Sequence, residues 1–77
     1  MEKKLSDLEP SDGGAAIEEV NVGFKLRRRL ASMGIVPGRE VTVVCKRRRG
    51  AIVVETENSI IAMDDEVASK ILCEVRS

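Results

Sequence analysis

Histidine, tyrosine and tryptophan are absent from this 77-residue sequence, and Phe24 is its single aromatic residue. Without histidine, the commonest general base of enzymes is missing, and neither cysteine has a base nearby in the sequence. We therefore expect no enzymatic activity, no catalytic residue and no cofactor. The scarcity of aromatic side chains also disfavours stacking on nucleic-acid bases and the recognition of proline-rich peptides, which requires an aromatic-lined groove.

Residues with metal-ligand chemistry are also few. Cys45 and Cys73 lie far apart without a CxxC spacing, and each falls in an alternating apolar stretch typical of a buried, reduced thiol. Asp64, Asp65 and Glu66 form the one dense carboxylate cluster along the sequence. An N-terminal helix cap explains this cluster, which would bind a hard divalent cation only weakly. We assign no metal site.

Long apolar segments are missing as well. No run of about 18 apolar residues occurs, and the N-terminal residues lack the apolar core of a signal peptide. A chain of this length can bury one modest core. We therefore expect a single domain over residues 1–77 that does not span a membrane and is located in the cytoplasm.

The zero net charge conceals three regions of opposite sign. Residues 1–20 and 51–77 each have a net charge of −4, whereas residues 21–50 carry nine basic and one acidic side chain, a net charge of +8. The middle third therefore predicts a local basic face. A solvated surface, a protein partner and a nucleic acid are all compatible with it, because arginine binds carboxylates as well as phosphates.

Alternating apolar residues predict five short strands, at residues 15–20, 40–46, 51–57, 60–63 and 71–75. The first alternates imperfectly, which indicates a bulge or bend. The middle three form an antiparallel meander whose first connection is the charged hairpin of residues 46–50. Residues 1–13 are interpreted as a lead-in anchored by Leu5 and Leu8, and a short second helix follows the carboxylate cluster.

The most specific part of the sequence is residues 26–38, which predict a basic helix, a glycine stop and a Pro-Gly turn. Leu26, Leu30 and Met33 share one helical face, which we assign to the core. Gly34 can adopt the left-handed conformation that ends a helix. The Pro-Gly pair that follows suits the two central positions of a type II turn.

This block resembles the hallmark of the FeoA family, ferrous iron transport protein A, in which a similar Leu-Arg-Arg-Arg-Leu…Met-Gly-Ile-x-Pro-Gly run joins a helix to a small β-barrel. The resemblance extends from Leu5 to about Val75 and implies a mainly β, SH3-like, partly open barrel of about five strands with two short helices. One departure is visible. The family often carries a Pro/Gly-bearing loop where this chain has the shorter Lys-Arg-Arg-Arg-Gly connection.

The resemblance also implies a function. A FeoA-like protein is expected to be an accessory of ferrous iron uptake that docks on the cytosolic GTPase region of the membrane permease FeoB and modulates it, without a small-molecule substrate. One alternative is a small RNA- or ribosome-associated barrel that uses its arginines, and another is a regulatory module for a partner unrelated to iron. Nucleic acid is the less favoured partner because a stacking platform is missing.

The predicted partner-binding residues are Phe24, Arg27, Arg28 and Arg39, on the outer side of the helix and turn. Aromatic and arginine side chains dominate the energetics of protein interfaces. Phe24 has two interpretations, an exposed anchor or a side chain that folds back into the core, and the core is favoured. If the helix is not the docking surface, the basic hairpin at residues 46–50 is the next candidate.

Overall fold

The computed structural model describes residues 1–76, and its framework is a six-stranded antiparallel sheet. The strands and helices in chain order are β1 (Glu2–Lys4), β2 (Gly14–Val20), α1 (Phe24–Ser32), β3 (Glu40–Lys46), β4 (Ile52–Glu55), β5 (Ile60–Met63), α2 (Asp65–Ala68) and β6 (Ile71–Val75). Short 3-10 turns occupy Leu5–Asp7, Pro10–Asp12 and Arg48–Gly50. The strands are ordered β1-β6-β2-β3-β4-β5, so β1 and β5 form the two edges.

One hydrophobic core lies on the inner face of this sheet, because alternate residues of the strands turn inward. Val41 and Val43 of β3 and Val54 of β4 are fully or almost fully buried in it. The lead-in contributes Leu5 and Leu8, both completely buried, which confirms the predicted anchors. Most of the core is Val, Ile and Leu, so the free energy of folding comes mainly from aliphatic burial.

The fold class is confirmed: the protein is mainly β and SH3-like, with two short helices. The structure adds one strand to the five predicted. Glu2 pairs with Glu74 and Lys4 with Leu72, so part of the supposed lead-in is the edge strand β1. The charged sequence Glu-Lys-Lys has no apolar alternation, which explains why this strand was not predicted.

A β-bulge interrupts the pairing of β2 with β6, as the imperfect alternation of the sequence predicted. Ile17 pairs with Cys73 and Glu19 with Leu72, which leaves Glu18 as the extra residue. Because two residues of β2 oppose one of β6 here, Glu18 and Glu19 are both exposed while Ile17 stays in the core.

A second bulge lies in β3 and was not predicted. Val43 pairs with Val54 and Cys45 with Val53, so Val44 is the extra residue. The bulge moves Cys45 from the inner face to the outer face of the sheet, because a shift of one residue reverses the side to which a strand residue points. Cys45 is therefore partly exposed, and the expectation that it is buried was wrong.

Candidate functional site

The helix-to-turn block of residues 26–38 bends sharply at the C-terminus of α1, and we call this segment the elbow. The backbone N–H of Ile35 donates to the carbonyl of Leu30 at 2.9 Å, and that of Gly34 donates to Ala31 at 3.0 Å. These two bonds, with Gly34 at φ +95°, define a Schellman motif. Leu30 and Ile35 are both buried, which supplies the hydrophobic contact that accompanies this motif.

The Pro-Gly turn is fastened to β2. The N–H of Arg39 donates to the carbonyl of Val36 at 3.1 Å, and Gly38 has φ +93°, as a type II turn requires. Ile17 donates to the carbonyl of Arg39 and accepts from Gly38, each at 2.8 Å. The predicted turn is thus confirmed, and its position relative to the sheet is fixed by backbone hydrogen bonds.

Hydrogen bonds of Thr56 link the elbow to the connection between β4 and β5. Its hydroxyl donates to the carbonyl of Met33 at 3.3 Å and accepts from the N–H of Ser59 at 3.2 Å, and the residue is only 8% exposed. A Cβ on Gly34 would lie 3.1 Å from this hydroxyl, so glycine is required there both for its positive φ and for this close approach. The elbow is therefore a rigid support for α1.

The outer face of α1 carries the single aromatic residue. Phe24 is 64% exposed, and the guanidinium of Arg28 lies over its ring at 5.6 Å from the centroid. The expectation that Phe24 folds into the core was wrong, because Leu30 on the opposite side of the helix is the residue that anchors it. Leu26 and Met33 pack against the core while remaining partly exposed. The position of Phe24 suits a cation–π contact worth about 0.5–1 kcal/mol at an exposed site.

The predicted partner-binding residues fall into two neighbouring parts of the surface. Phe24, Arg27 and Arg28 are exposed on α1. Arg39 is also exposed but lines a groove of about 300 Å³ together with Glu40, Glu55, Glu57 and three other residues. The structure thus brings Phe24 and Arg28 into contact and places Arg39 beside carboxylates. The sequence could not show those carboxylates as neighbours, because they come from β3 and the β4–β5 connection.

The basic residues of the middle third lie in two groups, at opposite ends of β3 and β4. The hairpin of residues 47–50 connects the C-terminal end of β3 to the N-terminal end of β4. Arg39 lies at the opposite end of this strand pair, immediately before β3. The elbow lies at that end too, because the carbonyl of Met33 contacts Thr56, which follows β4. A seven-residue strand spans roughly 20 Å. The ammonium group of Lys46 forms an ion pair with Glu9 at 2.8 Å and donates a hydrogen bond to the carbonyl of Ser6 at 3.1 Å. The region with a net charge of +8 therefore forms two basic surfaces, one on α1 and Arg39 and the other on the hairpin of residues 47–50.

None of the arginines of these two surfaces forms an ion pair within residues 1–76. The side-chain ion pairs in this part of the chain are Lys3–Asp12 at 3.6 Å, Lys46–Glu9 at 2.8 Å and Arg76–Glu40 at 3.9 Å. Unpaired arginines on the protein surface are available to a partner that supplies carboxylates or phosphates.

The carboxylates after β5 act as a helix cap. The side chain of Asp64 accepts a hydrogen bond from the N–H of Val67 at 2.8 Å, which confirms the capping interpretation. A second cluster was not predicted: the carboxylates of Glu2, Glu18 and Glu74 lie within 4.8 Å of one another. These residues come from three strands that are adjacent only in the sheet.

Glu18 shows the effect of this crowding. Its pKa is raised above the ordinary value of 4.5, first by a hydrogen bond with Glu2, then by desolvation and by repulsion from Glu2, Glu74 and Glu19. The amino group of Met1 lies beside Glu74 and offsets part of the negative charge. The cluster thus resembles a set of repelling carboxylates on the surface of the β1–β6–β2 half of the sheet.

The two cysteines differ in their surroundings. Burial, with a smaller contribution from the charge of Glu18, raises the pKa of the Cys73 thiol to about 11. Cys73 is completely buried, as predicted, and both thiols are free. A thiol with so high a pKa forms little thiolate at neutral pH, so Cys73 is an inert part of the core.

Within residues 1–76, no helix is both long and apolar enough to cross a membrane.

The sheet, the elbow and the covering helix define a small SH3-like β-domain. The model of the FeoA domain matches residues 3–75, and the chain belongs to the FeoA domain family. No curated protein matches the sequence.

Three solved structures are closely similar in fold. An iron uptake regulatory protein (FeoA) superposes with a TM-score of 0.84 at 24% identity, over 96% of this chain and 97% of the other. FeoA from Chlorobium tepidum gives a TM-score of 0.88 at 26% identity, over 97% and 71% of the two chains. Iron(II) transport protein A from Clostridium thermocellum gives 0.85 at 34% identity, over 95% and 45%.

Proposed function

We propose that this protein is a non-enzymatic accessory of ferrous iron uptake, which docks in the cytoplasm on the cytosolic GTPase region of the permease FeoB and modulates it. Membership of the FeoA family supports a role connected with iron transport. The names of two structural relatives, an iron uptake regulatory protein and an iron(II) transport protein, agree with this role.

The observation that carries the proposal is the outer face of α1. Phe24 is 64% exposed although it is the only aromatic residue, and a guanidinium without an ion-pair partner in residues 1–76 lies over it. Burying an aromatic ring and an arginine together is the chemistry of an interface hot spot. We therefore place the docking surface on Phe24, Arg27 and Arg28, with Arg39 at its margin.

The rigidity of the elbow supports this assignment. The Schellman motif and the Thr56 hydroxyl fix the C-terminus of α1, and Leu30 anchors its inner face. A surface held in one conformation loses little conformational entropy on binding. The helix backbone that carries the arginines is then already in place when they meet carboxylates of the partner.

The division of the arginines supports a protein partner over a nucleic acid. A strand of RNA would gain most from a continuous basic groove with several stacking platforms. Here the two basic surfaces lie at opposite ends of the β3–β4 pair, and Phe24 is the only ring. For RNA we expect only weak binding that decreases steeply with salt, and nanomolar affinity at physiological ionic strength would contradict the proposal.

The proposal is tested by reversing charge on one basic surface at a time. Arg27→Glu with Arg28→Glu should abolish capture of the purified cytosolic region of FeoB. Arg48→Glu with Arg49→Glu makes the same change in net charge on the hairpin and should leave capture nearly unchanged. Both double variants should remain folded, since surface substitutions shift stability by about 0.5 kcal/mol or less.

Phe24→Ala gives a second, uncharged test of the same surface. Because the ring is mostly exposed, its removal should cost no more than the cation–π contact, about 0.5–1 kcal/mol, and leave the protein folded, yet it should weaken capture of FeoB by at least about tenfold. Normal capture by both α1 variants, or loss of capture only in the hairpin variant, would show that the docking surface lies elsewhere.

A further inference from the structure

The two edges of the sheet differ in how they are protected from further pairing. An edge strand turns unpaired N–H and C=O groups outward, and proteins commonly guard such an edge with charged residues or proline. Edge β1 is Glu2-Lys3-Lys4 and is guarded in this way. Edge β5 is Ile60-Ile61-Ala62-Met63, which contains no charge, no proline and no bulge in its pairing with β4.

The outer side of β5 is also apolar. Ile60 is 70% exposed, and Ala62 beside it is exposed as well. Ala62 pairs with Val53, so the outer face next to the edge is apolar as well. Val44, which the bulge in β3 leaves 45% exposed, lies on the same outer face but two strands away from β5, out of reach of an added strand. An added strand would therefore find both backbone partners and apolar side chains at this edge.

Two neighbouring cavities lie near the beginning of β5. One, of about 300 Å³, is the groove that contains Arg39, and the other, of about 240 Å³, extends to Ile60. Glu55, Thr56 and Glu57 line both. Neither of these glutamates forms an ion pair within residues 1–76, and Arg39 is the single basic residue in either lining. The cavities therefore favour a positively charged guest.

The end of β5 at Met63 does not favour a partner residue of either charge. Asp64, Asp65 and Glu66 follow the strand, but the arginine hairpin lies next to them, since a Cβ on Gly50 would be 3.1 Å from Cβ of Asp65. Charges of both signs are thus close together there. Electrostatic preference at this edge comes from the end where Ile60 lies.

We propose that β5 receives an extended segment of a partner protein as an added antiparallel strand, with a lysine or arginine after the strand entering the groove at Glu55 and Glu57. The antiparallel direction follows the rest of the sheet, in which every strand pair is antiparallel. In that direction the C-terminal end of the added strand lies beside Ile60. The segment therefore alternates apolar residues and ends in basic ones. This site adjoins the docking surface at Arg39, which lines the same groove, but it does not depend on the identity of the partner that docks on α1.

The test uses two capped peptides of one composition, Ac-Val-Thr-Val-Thr-Val-Lys-Lys-NH2 and Ac-Lys-Lys-Val-Thr-Val-Thr-Val-NH2. The first should slow amide hydrogen exchange in β5 and shift its resonances in an NMR titration. The second should bind about two- to fivefold more weakly, the factor expected for one or two exposed ion pairs. A version of the first peptide with all of its valine and threonine amides N-methylated should not bind, because neither edge of it then has the N–H groups that pair with an edge strand.

Two matched variants locate the effect on the protein. Ile60→Lys places a charge on the edge and should abolish peptide binding, whereas Val44→Lys alters an exposed aliphatic residue on the same outer face, away from the edge, and should retain it. Glu55→Gln with Glu57→Gln should remove the difference between the two peptides without abolishing binding. Ala62→Lys repeats the edge test if Ile60→Lys does not fold.

Three results would overturn the proposal. The first is absence of β5 shifts at millimolar peptide, or shifts confined to α1. The second is equal or tighter binding of the peptide with N-terminal lysines. The third is self-association of the wild-type protein that Ile60→Lys disrupts, because the occupant of the edge would then be a second copy of this chain.

Discussion

The halves β1–β6–β2 and β3–β4–β5 are built from the same parts but have different surfaces. Each half has one edge strand, one bulge that adds an outward residue, and one cysteine. In the first half the bulge adds Glu18 to a carboxylate cluster, and in the second it adds Val44 to an apolar face. The same backbone irregularity therefore creates opposite surface chemistry, according to the residue that occupies it.

The largest expected difference between the halves is the reactivity of their cysteines. At pH 8 and 25 °C we expect iodoacetamide to modify Cys45 at least about a hundredfold faster than Cys73, because Cys73 is buried and has a pKa of about 11. Mass spectrometry after digestion measures both rates. In urea the two rates should converge, and equal rates in the native protein would show that the core around Cys73 opens readily.

The next effect concerns carboxylates that stabilise the second half. Asp64→Ala should lower the free energy of unfolding by about 1 kcal/mol, because the N–H of Val67 loses its capping partner. Urea denaturation measures this change. Asp64→Asn is the matched control, since asparagine caps helices equally well and should remain close to the wild type. If the two variants lost the same stability, the role of Asp64 would be electrostatic.

In the first half of the sheet, removing a carboxylate should instead increase the stability of the protein. The raised pKa of Glu18 means that the folded protein binds this proton more tightly than the unfolded chain, so stability falls as the pH rises through the window above 4.5. Glu18→Gln should therefore raise the melting temperature at pH 7, by less than Asp64→Ala lowers it. Below pH 4.5 the gain should disappear.

Glu19→Gln provides the control for that experiment. It removes the same charge from the neighbouring outward position, which repels Glu18 less than Glu2 does. Its gain at pH 7 should be smaller than that of Glu18→Gln. An equal gain, or one that persists below pH 4.5, would mean that overall charge rather than the cluster of Glu2, Glu18 and Glu74 determines the effect.

The elbow was predictable from sequence because its information is local. Gly34 and the Pro-Gly pair fix backbone conformations by their own chemistry, and the spacing from Leu26 to Met33 fixes which side of the helix faces the core. The strands β2 to β6 follow from alternating Val, Ile and Leu in the same way. These elements require no knowledge of distant residues.

Other features depend on pairings between distant parts of the chain. Cys45 is partly exposed because of a bulge against β4, and the carboxylates of Glu2, Glu18 and Glu74 meet because β6 lies between β1 and β2. Phe24 is the first residue of α1, and the spacing of Leu26, Leu30 and Met33 does not decide whether the helix begins at Phe24 or after it. The groove beside Arg39 likewise joins residues from β3 and the β4–β5 connection. Alternation and spacing along the chain carry none of this information.

The two bulges also have a consequence for how the chain length of such domains can vary. If Glu18 or Val44 were deleted, the flanking pairs Ile17–Cys73 or Cys45–Val53 could be kept, because each bulged residue has no partner of its own. A deletion further along β2 or β3 would shift the register, and the side chains between the deletion and the bulge would turn to the opposite face. One-residue gaps in a sequence alignment of these strands are therefore expected at positions 18 and 44 or at the residues beside them, and a gap further away marks a different register.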